Sequence, residues 1–302
     1  MNPYIQSLRP RTLPLSVSGI ILGTGLAVTI HNSQFTIHNS QCLCVFVLAI
    51  LTTLSLQILS NLCNELGDAQ KGTDADQKGR AAYGLQTGKI TMGQMKSMIG
   101  LFTGLCVIFG TALIYSAFWW PTPTPSLQGG EPLIPTLIFL GLGLLAILGA
   151  VKYTLGKHSY GYMGLGDLGV FLFFGLLSTM GAYYLQVQTM SWEVFACGAA
   201  IGMPCVGVLN LNNIRDMPND RLHGKHTFAS LLGPRGARVY HSLLLIGCVS
   251  IFTAFGHLWP LCITPVWGWH LWYVWSHEDK LDKQMPVLMF STLIVAILAL
   301  FC

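Results

Sequence analysis

Charge is what this chain lacks most. Asp, Glu, Lys and Arg make up 9% of its 302 residues, against roughly a quarter in a soluble domain. A soluble chain of this length needs a polar surface to cover its core, and this one has little to build it from. A lipid bilayer removes that need, because lipid solvates the outer faces of apolar helices. A net charge of +4 gives no strongly basic patch, so nucleic acid is not a natural partner. None of the nine cysteines forms a Cys-x-x-Cys pair. Most sit within apolar runs, as Cys106, Cys197, Cys205 and Cys248 do. They read as small buried hydrophobes, not as a zinc site or a disulfide framework. No Walker-type phosphate loop is present, which excludes an ordinary nucleoside triphosphatase. No small-residue cleavage signature follows the first apolar run, so that run reads as a retained helix.

What the chain has is long apolar stretches. The hydrophobic fraction is 52% and the mean hydropathy is +0.57. A span needs about 20 mostly apolar residues. Nine stretches qualify, at 13–30, 42–63, 96–118, 133–153, 163–186, 192–213, 237–256, 258–275 and 286–302. The eighth is the weakest, because it carries Pro260, Pro265 and His270. All 16 Lys and Arg fall in the N-terminal tail and in alternate connections. The positive-inside rule then places the N-terminus in the cytoplasm and the C-terminus outside. The expectation is an all-α membrane protein of nine transmembrane helices forming one domain over residues 1–302.

The opposite connections are bland. Residues 29–41 contain the hexapeptide TIHNSQ twice, a polar loop duplication. A metal site on His31 and His38 would have no carboxylate nearby. Residues 119–132 hold Pro121, Pro123, Pro125 and Gly129-Gly130, a turn-rich connection.

Ten of the twelve acids share the basic side. The second stretch ends in Asn64-Glu65-Leu66-Gly67-Asp68, and the sixth ends in Asn212-Asn213-Ile214-Arg215-Asp216. Both read Asn-x-x-x-Asp, four helices apart, which suggests two related halves whose second and sixth helices face each other. Residues i and i+4 share a helix face, so Asn64 pairs with Asp68, while Asn212, Asp216 and Asp220 form a longer stripe. Like charges at that spacing weaken a helix unless a cation lies between them. Oxygen ligands of this kind suit Mg²⁺, which takes few carboxylates and also binds substrate phosphates. Lys71, Lys78, Arg80, Arg215, Arg221 and Lys225 are interleaved with the acids. Acids for Mg²⁺ and bases for phosphate oxygens describe a diphosphate site; the alternative is a pair of solvated loops.

With those motifs in place the chain resembles the UbiA superfamily of intramembrane prenyltransferases, and within it the dihydroxynaphthoate branch. The resemblance is carried by Ser7 to Pro14, by Asn64 to Asp74 and by Gln86-Thr87-Gly88. It continues through Tyr160-Gly161-Tyr162-Met163-Gly164-Leu165-Gly166-Asp167, the phenylalanines from Phe171 to Phe174, and Asn212 to Asp220 with Gly224-Lys225. Two positions depart from the superfamily pattern: Glu65 stands where an Asp is usual, and Gly72 replaces the last Asp. Asp74 is then expected to take over that ligand role.

The resemblance implies a transferase acting on polyprenyl diphosphate and 1,4-dihydroxy-2-naphthoate in the bilayer of a bacterial inner membrane. Its active site would lie on the cytoplasmic face, and Mg²⁺ would be held by Asn64, Glu65, Asp68, Asp74, Asn212, Asp216 and Asp220. Lys71, Arg80 and Lys225 are the expected phosphate contacts. Tyr153 and Lys157 resemble a superfamily element near the diphosphate and the ring, or are an interfacial anchor. Asp167 either orients the aromatic substrate or caps the fifth helix. Arg9 and Arg11 could attract a carboxylate, although a basic flank explains them with nothing more. Gly19, Gly23 and Gly25, or Gly141 and Gly143, either let helices pack closely or narrow a tunnel for the prenyl tail. Nothing points to an obligate protein partner. The rivals are a related enzyme using 4-hydroxybenzoate and a transporter. The transporter is disfavoured because the acids sit at helix ends and not at mid-membrane.

Overall fold

The computed structural model describes residues 2–30, 40–72, 83–120, 131–277 and 280–301. Asp74 and Arg80, together with His31, His38, Asp76 and Lys78, fall outside the described residues. Among the described residues the fold is all-helical, with one isolated bridge between Met163 and His226.

Seven spans run as α1 (Leu13–Ile30), α2 (Ser40–Lys71), α3 (Met92–Phe118), α4 (Leu133–Lys152), α5 (Gly166–Val187), α6 (Trp192–Leu222) and α7 (Phe228–Ala254). They are followed by α8 (Thr264–Ser276) and α9 (Gln284–Leu298). Among the described residues, eight helical stretches are long and apolar enough to cross a membrane by length and composition. The exception is the eighth candidate of the sequence. It divides into a 3₁₀ turn, Trp259–Ile263, and the 13-residue α8. The two prolines explain the division: each sits in the first turn of its piece, where a missing N–H costs nothing.

Two helices outgrow the bilayer. α2 has 32 residues and α6 has 31, which at 1.5 Å per residue gives about 48 Å and 46 Å. The hydrocarbon core is only about 30 Å thick. The surplus lets their C-terminal turns stand at the membrane margin, and those turns carry the two Asn-x-x-x-Asp motifs. Length is therefore what puts carboxylates within reach of water and of charged substrate.

α2 packs against α3, α4 and α1; α6 packs against α7, α5, α9 and α1; and α9 returns to α1, closing the bundle. The main core lies around α1, α6, α7 and α9, with Leu22, Leu26, Ile201, Leu211, Leu245 and Leu288 fully buried. α4 has no buried residue at all, as expected of a helix with lipid on its outer face.

The glycines of α1 divide cleanly from those of α4. A β-carbon at Gly19 would meet the Ser178 hydroxyl at 1.8 Å, one at Gly23 the Thr179 carbonyl at 2.2 Å, and one at Gly25 the Ala299 carbonyl at 2.8 Å. These are close-packing positions against α5 and the end of α9. Gly141 and Gly143 have nothing within 4 Å, so no helix approaches them. α5 itself contains a π-helical stretch, Phe171–Leu177, a feature common at functional sites. There Gly175 lies against α6, where a β-carbon would come 2.6 Å from the Gly202 Cα.

Candidate active site

One large cavity, about 370 Å³, is lined by residues of α1 to α6 and Met289 of α9. Asn64 and Asp68 from α2, Asn212 and Asp216 from α6, and Lys225 from the loop after α6 line its polar end. The two motifs therefore face one space. Along α2 the lining runs from Ala49 to Asp68, 19 residues or about 28 Å of helix. The deeper wall is apolar, formed by residues such as Leu113, Phe139, Phe173, Phe174 and Leu177. A charged mouth leading into a long greasy chamber fits a molecule with an anionic head and an apolar tail.

The mouth is organised by the connection from α4 to α5. Tyr162 donates its hydroxyl to Asp68 Oδ1 at 2.8 Å, and its carbonyl accepts from the His226 amide at 3.1 Å. The Lys71 ammonium sits 3.6 Å from the centre of its ring and that of Lys225 5.6 Å. Tyr162 thus ties the first motif to the loop that follows the second. The Tyr160-Gly161-Tyr162 segment belongs to the family resemblance, but its sequence alone gives Tyr162 no such role. The signal available was an aromatic pair in a polar connection between spans. Gly161 is fixed here because a β-carbon would meet the Tyr153 carbonyl at 2.6 Å. Removing only the hydroxyl, in Tyr162→Phe, is expected to lower turnover by about 10-fold. That is the rate equivalent of one hydrogen bond to a charged group, and steady-state assay of the purified variant measures it.

The other expected site residues divide. Asn64 accepts a hydrogen bond from the Thr154 hydroxyl, and Tyr153 lines the cavity with its ring edge-on to Tyr160 at 5.2 Å. Burial pushes the Tyr160 hydroxyl up to about 12, so it stays neutral and donates to the Gly149 carbonyl at 3.0 Å. Asp216 is gripped on both oxygens by Arg215, at 2.6 Å each, and Arg215 also bonds Asp282. Asp220 lies behind the wall, 1% exposed, with Lys225 Nζ 3.3 Å from its Oδ1.

Four other expected site residues lie off the cavity wall. Glu65 does not reach the cavity: it is fully buried on the far side of α2 and accepts from the Leu85 amide at 2.9 Å. One residue along a helix turns the side chain by about 100°, so the neighbour of a ligand points elsewhere. Lys71 holds the α4–α5 connection through the Thr154 carbonyl at 2.8 Å and the Ser159 hydroxyl at 2.5 Å, instead of lining the cavity. Lys157 is exposed in that connection and off the cavity wall. Asp167 is buried and hydrogen-bonded to Tyr240 of α7, which makes it a packing contact between helices. Glu65→Gln keeps the oxygen that Leu85 needs, so turnover is expected to stay within about threefold of wild type, checked beside an Asp68 variant in the same assay.

The chemistry of the donor set suits Mg²⁺. The carboxylate of Asp220 is buried, and the Lys225 ammonium 3.3 Å from Oδ1 leaves Oδ2 without a donor. Asp68 and Asp220 lie within electrostatic reach of each other. With the amide oxygens of Asn64 and Asn212 they give an oxygen-only set. Among the described residues no three acidic, His or Cys side chains converge on one point. An oxygen-only set of carboxylates and amides suits an ion that takes few carboxylates, keeps waters and shares itself with phosphate oxygens.

The chain matches the model of the UbiA prenyltransferase family over residues 20–297. It is 39% identical over 269 residues to the 1,4-dihydroxy-2-naphthoate octaprenyltransferase of Escherichia coli (strain K12), covering 88% of this chain and 79% of that protein. It is 37% identical over 255 residues to the enzyme of the same name from Haemophilus influenzae, covering 84% and 77%. Its fold is that of a UbiA homologue from Archaeoglobus fulgidus, solved bound to GPP and Mg²⁺, with a TM-score of 0.65, 14% identity and full coverage of both chains. The family match, the two relatives and the shared helical bundle agree: this chain belongs to the UbiA prenyltransferase family.

Proposed function

We propose that this protein transfers a polyprenyl group from polyprenyl diphosphate to 1,4-dihydroxy-2-naphthoate, releasing diphosphate and CO₂ and forming a demethylmenaquinol. One observation carries the reading: a single cavity, lined by about 28 Å of α2, joins two Asn-x-x-x-Asp motifs at its mouth to an apolar chamber. The naphthoate acceptor rests on the identity to the two bacterial relatives. The protein would work as one domain over residues 1–302, in a bacterial inner membrane with the motifs on the cytoplasmic side. The alternation of its basic connections supports that orientation.

Asn64, Asp68, Asn212, Asp216 and Asp220 would hold Mg²⁺ and, through it, the diphosphate. When bound, Mg²⁺ neutralises charge that builds on the diphosphate oxygens as the allylic carbon–oxygen bond breaks. Lys225 stands at the cavity mouth, where its ammonium can meet a phosphate oxygen directly. Tyr162 fixes Asp68, and Thr154 fixes Asn64, so both ligands are oriented in advance. Tyr153 and Tyr160 line the cavity just inside the mouth, where their ring faces can stabilise an allylic cation. The apolar wall excludes water that would otherwise capture it.

In the overall balance the allylic carbon–oxygen bond breaks with its electron pair leaving on diphosphate. The ring supplies the pair for the new carbon–carbon bond, and the carboxylate's bonding pair returns to the ring as CO₂ departs. No oxidant is needed. The test is direct: membranes containing the protein receive Mg²⁺, dihydroxynaphthoate and a polyprenyl diphosphate, and prenylated quinol and CO₂ are quantified. Absence of both products sinks the proposal, and preference for 4-hydroxybenzoate moves the acceptor assignment.

A further inference from the structure

Arg9 is a cation that the structure leaves incompletely partnered. Its backbone adopts a left-handed conformation, φ 51° and ψ 62°, although it is not glycine and precedes Pro10. Such a residue is strained and persists only where its surroundings hold it. They do: the Arg9 carbonyl accepts from both the amide and the hydroxyl of Thr12, at 3.0 and 2.9 Å, and its amide donates to the Gln6 carbonyl at 3.1 Å. The strain turns the side chain into the protein. The guanidinium lies 4.4 Å from the centre of the Tyr83 ring and lines the cavity. Its Nε and Nη2 are buried with no hydrogen-bond partner. No acid among the described residues pairs with it. Arg9 is half-buried, and guanidinium nitrogens buried with unmet donors cost free energy unless an anion completes them.

An unmet acceptor belongs to the same pocket. Asn61 donates to the Leu8 carbonyl at 2.9 Å and to the Thr12 hydroxyl at 3.0 Å. Its own oxygen is thereby turned to Gln57, whose amide nitrogen donates to it at 3.0 Å. Gln57 Oε1 is left buried and without a donor, and Gln57 lines the cavity with Arg9. Gln57 lies 11 residues before Asp68 on α2, about 16 Å along the helix, well inside the charged mouth. The pocket thus offers a planar pair of cationic donors on one side and a lone acceptor on the other.

We infer that Arg9, stacked on Tyr83, anchors the carboxylate of an aromatic acid acceptor, with Gln57 Oε1 receiving its neighbouring phenolic hydroxyl. The inference rests on the proposed function for the identity of the acceptor. A planar guanidinium matches a carboxylate in two parallel hydrogen bonds. A fully ionised diphosphate would satisfy the arginine but has no proton to give Gln57; an ortho-hydroxy aryl carboxylate satisfies both. Arg9 is in this view a binding and orienting residue. It fixes which ring carbon faces the allylic carbon while the diphosphate is held elsewhere.

The experiment measures binding as well as turnover. Purified full-length protein in lipid nanodiscs is titrated with 1-hydroxy-2-naphthoate and, separately, with 1-naphthol, which lacks the carboxylate. Arg9→Gln should weaken hydroxynaphthoate binding by about 10- to 100-fold, the loss expected for a charged hydrogen-bonded pair, and naphthol binding by no more than about threefold. Arg9→Lys, which keeps the charge but not the fork, should recover part of the loss. In the prenylation assay the acceptor KM should rise while the donor KM stays level. Equal weakening of both ligands, no weakening of either, failure of the wild type to bind hydroxynaphthoate, or a rise confined to the donor KM each overturns the inference. A wild type that binds hydroxynaphthoate through Arg9 yet prenylates no naphthoate would leave the inference standing and remove the proposed function.

Discussion

Asp68→Asn and Asp216→Asn are each expected to lower turnover by at least about 100-fold, the usual cost of removing one charged stabiliser of a developing anion. The substitution keeps size and hydrogen bonding while deleting the charge. For Asp68 the amide oxygen can still accept from Tyr162, now 2.8 Å from Oδ1, so the mouth should keep its shape. For Asp216 the pair with Arg215 is lost, and Arg215 retains Asp282. Both variants should therefore fold, and the loss should be in the rate of prenyl transfer. Raising Mg²⁺ should recover part of the activity, because a weakened site fills at higher concentration. Prenylated product measured across a Mg²⁺ series, with Glu65→Gln as the neighbouring control, reads both effects. Near-normal turnover in either Asp variant would remove the two-motif site from the mechanism.

Gly23→Leu is expected to abolish the folded protein, with no detergent-stable, monodisperse species recovered. Even the first added carbon would stand 2.2 Å from the Thr179 carbonyl and 3.0 Å from the Ala182 Cβ. Backbone cannot retreat as a side chain can, so α1 would have to part from α5. Overpacking ordinarily costs about 1–3 kcal/mol, and a backbone clash this close lies at or beyond the upper end. α1 is also central, packed on both α5 and α9, so its displacement opens the closed bundle. Gly143→Leu is the matched contrast. Nothing lies within 4 Å of Gly143, yet it lines the cavity. It should leave the melting temperature nearly unchanged and should slow transfer of the longer prenyl donors by filling their chamber. Melting curves of the two variants, read beside turnover with short and long donors, separate packing from tunnel.

Much of this was legible in the chain itself. Scarce charge, apolar runs of span length and basic residues in alternate connections require a membrane bundle whatever the packing. The Asn-x-x-x-Asp spacing puts Asn64 with Asp68 and Asn212 with Asp216 on common faces, because helical periodicity is a local property. Periodicity leaves undirected the residues that flank those faces. Glu65 sits beside a ligand in sequence and a quarter turn away in space. Lys71 and Lys157 are basic residues near the motifs, but one is tied to the α4–α5 connection and the other is exposed.

The glycines show the same division. Gly23 and Gly143 are equivalent in sequence, each a small residue in an apolar helix, and only the neighbouring helix tells them apart. Arg9 is the sharpest case. Beside Arg11 before an apolar run it reads as a topology signal, and nothing in the order of residues reveals a left-handed turn or a ring at 4.4 Å. The membrane bundle, most of its spans and the two motif faces follow from the chain's composition and period. Which faces meet, which cations enter the cavity and which donors stay unmet depend on contacts between helices far apart in the chain, which no local pattern encodes.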